Sequence, residues 1–177
     1  MSDGGGEGAA GGPGGGSAAG ERGVGAAGGP GGGERGVVRL PGEERREILR
    51  LPGDPPSPWE EANGFSRVVR AGQLVFVAGT TSVAADGVIL GETAYEQAAE
   101  ILRKISRELG RAGASLADVV QTRVYVVDIS RGDEVGRAHA EAFGPDRPAM
   151  AMVEVSALYE PRMLVEIEAV AVVGGGA

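Results

Sequence analysis

The chain has 177 residues, a formal net charge of -8 and an isoelectric point of ≈ 4.8. An acidic surface without a cluster of Lys and Arg excludes nucleic acid and anionic membrane as main partners, because both would repel it. There is no Cys and His139 is the single histidine, which excludes a disulfide framework, a thiolate nucleophile and Cys- or His-rich metal sites. No metal or cofactor is expected.

No apolar run reaches the length of a membrane-spanning helix. The N-terminus lacks the basic segment and apolar core of a secretory signal, so the expected location is the cytoplasm. Residues 1–44 read as a Gly-rich, low-complexity tail. AAGGPGGG occurs at Ala9–Gly16 and again at Ala26–Gly33, and ERGV at Glu21–Val24 and Glu34–Val37. These copies carry no apolar face that could stack on a neighbour, and glycine-rich chain loses the most entropy on ordering. A flexible tail is predicted, followed by a domain over 45–174 and a short Gly/Ala end at 175–177.

Within the domain, Arg46–Leu51 is read as an entering strand. SRVVRAG (Ser66–Gly72) and QLVFVAGTT (Gln73–Thr81) are β-branched runs that meet at Ala71–Gly72, which predicts a hairpin. AADG (Ala84–Gly87) supplies a turn in which Asp-Gly suits positive φ. The period then changes. Tyr95, Ala98, Leu102, Ile105 and Leu109 share one helical face, and Glu96, Glu100, Lys104 and Glu108 the other. Glu100 and Lys104 form an i,i+4 pair of favourable order, and Gly110 or Gly113 ends the helix.

DVVQTRVYVVDI (Asp118–Ile129) is the clearest strand, with Val120, Thr122, Val124 and Val126 on one face and Gln121, Arg123, Tyr125 and Val127 on the other. A second helix is predicted over Arg131–Phe143, with Ser130 and Asp133 spaced as a capping box and Gly144 as the stop. Strands at Ala149–Val155 and Met163–Val173 complete the pattern. The order ββ(β)αβαββ gives an α+β domain, a sheet of about six strands with both helices on one face.

The stretches RAGQLVFVAGTT, RAGASLADVVQTRVYVVDIS, HAEAFGPDRPA and LVEIEAVAV resemble, in that order, the Rid family, also called the YjgF family. The resemblance covers about Asp54 to Val173. SPWEEANGFSRVVRAG is similar to a divergent branch in which SPWE precedes the first hairpin. The resemblance implies a chorismate-mutase-like fold with a mixed sheet, and a homotrimer with ligand clefts between subunits. In founding members those clefts hydrolyse reactive 2-imino acids to 2-keto acids and ammonia without a cofactor. An arginine there binds the substrate carboxylate and a glutamate helps activate water.

Placed on this chain, the family pattern departs at several positions. The arginine that follows Pro-Ala is here Met150, after Pro148-Ala149, and the small polar residue or cysteine two positions on is Met152. A tyrosine corresponds to Phe65, a serine to Ala78 and an asparagine in the second helix to Gly136, whereas Gly79 and the glutamate, Glu166, are kept. A guanidinium grips a carboxylate through two parallel charge-assisted bonds, while a thioether offers a soft apolar surface. The cleft implied by the resemblance, with Phe65, Ala78, Gly79, Thr80, Gly136, Met150, Met152 and Glu166, is therefore expected to bind a small, weakly charged metabolite. The alternatives are an enamine or imine deaminase, or another hydrolase, in which Glu166 serves a substrate without a carboxylate, and a structural or partner-binding trimer.

Period-2 spacing puts Glu166 and Glu168 on one face, about 7 Å apart, either as paired carboxylates or as a wet strand face. Met150, Met152 and Glu154 share a face by the same rule, as core packing or as a cleft wall. Arg67, Arg123 and Arg162 are candidate replacement cations or ion-pair partners. Thr80 and Thr81 are ligand or turn hydroxyls, and His139, with no triad partner in the sequence, reads as a packed side chain.

Overall fold

The computed structural model describes residues 47–174. The Gly-rich tail assigned to 1–44 and the Gly/Ala end at 175–177 lie outside the described residues. The elements run β1 (Ile48–Leu51), α1 (Pro58–Asn63), β2 (Val68–Ala71), β3 (Leu74–Thr80), α2 (Ala94–Arg111), β4 (Val119–Val126), α3 (Gly132–Phe143), β5 (Ala149–Glu154) and β6 (Val165–Val172). They form one six-stranded sheet in the order β1-β2-β3-β6-β4-β5. Only β4 and β5 pair in parallel, so the sheet is mixed. The predicted α+β fold is found.

The hairpin turns where expected, at Gly72 with φ 62°, and joins Ala71 to Leu74 in register. The AADG turn closes through the Gly87 N–H donating to the Ala84 carbonyl. Helix α2 starts at a capping box, Thr93 with Glu96, and ends at Gly113, whose φ of 77° only glycine adopts at no cost. Gly110 lies inside the helix. Ile101, Leu102, Ile105 and Leu109 of α2 are buried with Val135, Ala138 and Phe143 of α3 against Val75, Val77, Val124, Val126, Val165 and Ile167 of the sheet. Burying each large aliphatic side chain contributes roughly 1.5–3 kcal/mol, which keeps both long helices on one face.

Four expectations change. A register shift between Val119 and Gln121 turns Val119 into the core and leaves Val120, placed on the core face by simple alternation, 47% exposed. The Ser130–Asp133 capping box does not form. Asp128 instead accepts from the Ser130 N–H and hydroxyl, capping a 3₁₀ turn over Ile129–Arg131 that leads into α3. The stretch SPWEEAN, for which no element was predicted, forms α1, capped by Ser57 and Glu60. The expected Glu100–Lys104 pair on the outer face of α2 does not form. Glu108 is 2% exposed, and Lys104 reaches across to the loop after β3 rather than pairing with Glu100, which pairs with Arg103.

Candidate functional site

The segment leading into α1, the loop after β3 and the outer face of α2 enclose a cavity of ≈ 640 Å³ at one end of the sheet. Its floor is the β3–β6 pair. Regular pairing of these strands breaks between Val77 and Thr80, and the Glu166 side chain lies against Gly79, where an added Cβ would overlap its carboxylate. A side chain at 79 would therefore force the Glu166 carboxylate away from its present place over the backbone. Burial pushes the Glu166 carboxyl above the usual carboxylate range, nearby Arg67 pulls it back and Glu168 adds to the rise.

Arg67 is held on both sides. Its Nε and Nη2 donate to Glu60 Oε1 at 3.3 and 3.2 Å, and Nη1 donates to the Gly79 carbonyl at 2.7 Å. Glu60 also accepts from the backbone N–H groups of Gly53 and Ser57. The guanidinium lies 5.3 Å from the centre of the Phe65 ring, a cation–π distance. Among the described residues every arginine lining the cavity is in an ion pair: Arg67 with Glu60, Arg103 with Glu100, Arg107 with Glu108 and Arg162 with Glu160. Trp59 and Tyr159 meet edge to face at its rim, 5.5 Å between ring centres.

Of the residues singled out from sequence, one chain brings Phe65, Arg67, Gly79, Thr80, Thr81, Arg162 and Glu166 around this cavity. Thr80 is buried and its hydroxyl donates to the Ala78 carbonyl, while the Ala78 N–H donates to the Arg67 carbonyl. Met150, Met152 and Gly136 lie elsewhere. β5 is the far edge strand, and its parallel register aligns Met150 with Thr122 and Met152 with Val124, both core-facing. Met152 packs against the core beside Gly132, one turn before Gly136 on α3, and Met150 stays 46% exposed. Glu166 projects from the opposite face, aligned with Tyr125. Within one chain the two groups therefore do not meet.

The other candidates take structural partners. Arg123 donates to Glu168 at 2.7 Å and Tyr125 to the same oxygen at 3.3 Å. His139 is buried, 2.9 Å from the Thr122 hydroxyl and tilted against Phe143, and burial lowers its pKa. Sequence reading missed Glu60, Lys104 and Glu108 as cavity groups. The Ser57–Glu60 spacing was a local signal for the first; the other two had none.

The sequence pattern of the family described as Endoribonuclease L-PSP matches residues 57–173. A solved structure from Mycobacterium tuberculosis, a member of the YjgF/YER057c/UK114 family, is 50% identical with a TM-score of 0.65, covering 72% of this chain and 100% of its own. An uncharacterized protein of Streptomyces coelicolor is 38% identical over 113 residues, 63% of this chain and 84% of that protein. The chloroplastic reactive intermediate deaminase A of Arabidopsis thaliana is 27% identical over 108 residues, 60% of this chain and 57% of that protein.

Proposed function

The chain belongs to the Endoribonuclease L-PSP family, the YjgF/YER057c/UK114 proteins, and we propose that within it this member binds a small, weakly charged metabolite. One observation carries the reading: among the described residues all four arginines lining the cavity are in ion pairs, and the remaining cation, Lys104, is bound to the Thr81 and Val83 carbonyls. A substrate carboxylate entering there would have to displace a glutamate from its arginine beside Glu166, against like-charge repulsion. Met150, at the position the family resemblance gives to an arginine, supplies no substitute cation. Ribonuclease activity, which the family's descriptive name suggests, finds no support in a chain of net charge -8.

The reading includes a homotrimer. The sheet face away from the helices leaves Leu74, Phe76, Val153 and Val172 between 37% and 48% exposed, an apolar surface of the kind that association covers. A subunit seated there could bring a Met150–Met152 edge to a neighbour's Glu166. The test is crystal soaking with neutral amides, enamines and ketones, together with light scattering. Density beside Glu166 in a trimer supports the proposal, and a monomer with empty clefts overturns it.

A second reading is favoured by the raised pKa of Glu166. A carboxyl poised above its ordinary range is a better general base once ionised. It would hydrolyse an imine or enamine that lacks a carboxylate; the Arabidopsis relative is named a reactive intermediate deaminase. Ammonia release from a panel of such imines, lost in Glu166→Gln, tests it.

A further inference from the structure

Lys104 is the only lysine in a chain with 17 Lys and Arg residues in total. It is half-buried rather than fully solvated, as lysine ordinarily is. It projects from α2 into the cavity wall, under the loop that follows β3, and lines the cavity. Its Nζ donates to the Thr81 carbonyl at 2.7 Å and to the Val83 carbonyl at 2.6 Å. It has no carboxylate partner among the described residues: Glu100 is taken by Arg103, and Glu108 by Arg107 and Arg111.

Two carbonyl acceptors, without a carboxylate, can hold the neutral amine as well as the ammonium. A primary amine has two N–H bonds and one lone pair. With both N–H groups donated to carbonyls, the lone pair is directed away from those two acceptors and is left free. An arginine here would keep the tether but could not lose its proton. We propose that Lys104 is a reactive amine that captures small neutral aldehydes or ketones in this cavity as an imine.

The lone pair attacks the carbonyl carbon, the C=O π electrons move to oxygen, and a proton passes from nitrogen to that oxygen. The resulting carbinolamine loses water to give the C=N bond, and hydrolysis reverses each step without oxidant or reductant. Neutral carbonyl compounds are preferred because the arginines lining the cavity are held by Glu60, Glu100, Glu108 and Glu160, while Glu166 adds a carboxylate outside those pairs. Burial, with Arg67 next, lowers the Lys104 pKa to about 8; Arg107 also lowers it, and Glu100 and Glu108 oppose. A desolvated lysine beside other cations is a recognised nucleophile. At neutral pH this leaves the neutral amine a few hundredfold more populated than in a free lysine.

The experiment uses the full chain with propanal and cyanoborohydride, read by intact mass and peptide mapping. The chain's only other amine, its α-amino group, serves as the internal reference. Lys104 is expected to be alkylated on the order of a hundredfold faster in the folded protein than in the urea-unfolded chain, with a rate that rises through pH 8. Lys104→Arg, which retains donors for both carbonyls, is expected to melt like the parent and to lose the label. Alkylation confined to the α-amino group, or equal Lys104 rates in folded and unfolded chains, would make Lys104 a tether only and overturn the proposal.

Discussion

Replacing Glu60 by Ala tests whether the cavity wall is held by charge. Glu60 is 6% exposed and the side chain of its partner Arg67 13%, so the pair is largely out of water. The substitution strands a guanidinium and removes the acceptor of the Gly53 N–H, 2.8 Å away, and of the Ser57 N–H at 3.3 Å. Breaking a buried ion pair from one side costs about 3–5 kcal/mol, mostly as desolvated charge left without a partner. At roughly 3 °C per kcal/mol for a domain of this size, the melting temperature should fall by roughly 10–15 °C. Arg67→Met should cost less, because Glu60 keeps its two backbone donors. The double variant should be more stable than the sum of the single losses predicts, by about 1–3 kcal/mol. The assay is thermal melting at neutral pH and fixed protein concentration, because association also moves the midpoint. A Glu60→Ala loss under roughly 3 °C, or strict additivity, would mean that water solvates the pair and would refute the reasoning.

Three further outcomes are expected. Hydrolysis of 2-iminopropanoate should be near background, because lacking a bidentate, partly desolvated ion pair costs roughly 2–5 kcal/mol, about 30- to several-thousand-fold; Met150→Arg should stay within roughly tenfold of the parent, since Gly136 and Met152 leave the supporting contacts unbuilt. Parent activity equal to that of an arginine-bearing relative, in a semicarbazide competition assay, would refute this. Glu166→Gln should raise the melting temperature at pH 7. The folded carboxyl has a raised pKa, so its contribution is full below its unfolded pKa and is lost as pH rises through the folded one. The gap between parent and variant should therefore close on acidification. A chain beginning at residue 45 should melt within a few degrees of the full chain, because the removed segment has too little apolar surface to offset ordering entropy; a larger loss would show that the segment docks.

Local chemistry made much of the fold legible. Alternation marked β4, the 3.6-residue period marked α2, and Gly72 and Gly113 marked turns that need positive φ. Helix α1 escaped because prolines crowd its start, although its capping pair, Ser57 and Glu60, stood three residues apart. The burial of Glu108 and Lys104 could not be read from α2 itself. It depends on chain from 52–60 and 81–90 crossing that helix, a tertiary event without a local period. The same holds for the side on which Met150 lies. Alternation groups it with Met152 and Glu154, but only the parallel register with β4 assigns that face to the helices. Glu166 was legible through the family resemblance, and the neighbouring Arg67 only as one cation among several.

The strand order carries a consequence for how the chain reaches this state. β6, last of the strands in sequence, lies fourth across the sheet and is the only strand bonded to both β3 and β4. Until it arrives, β1-β2-β3 and β4-β5 are separate ribbons, each showing an unpaired inner edge. Closure waits on contacts nearly a hundred residues apart, such as Val75 with Ala171, and loop-closing entropy makes such pairings slow. During synthesis both open edges therefore exist before the strand that covers them has been made, a window in which they can pair with other chains.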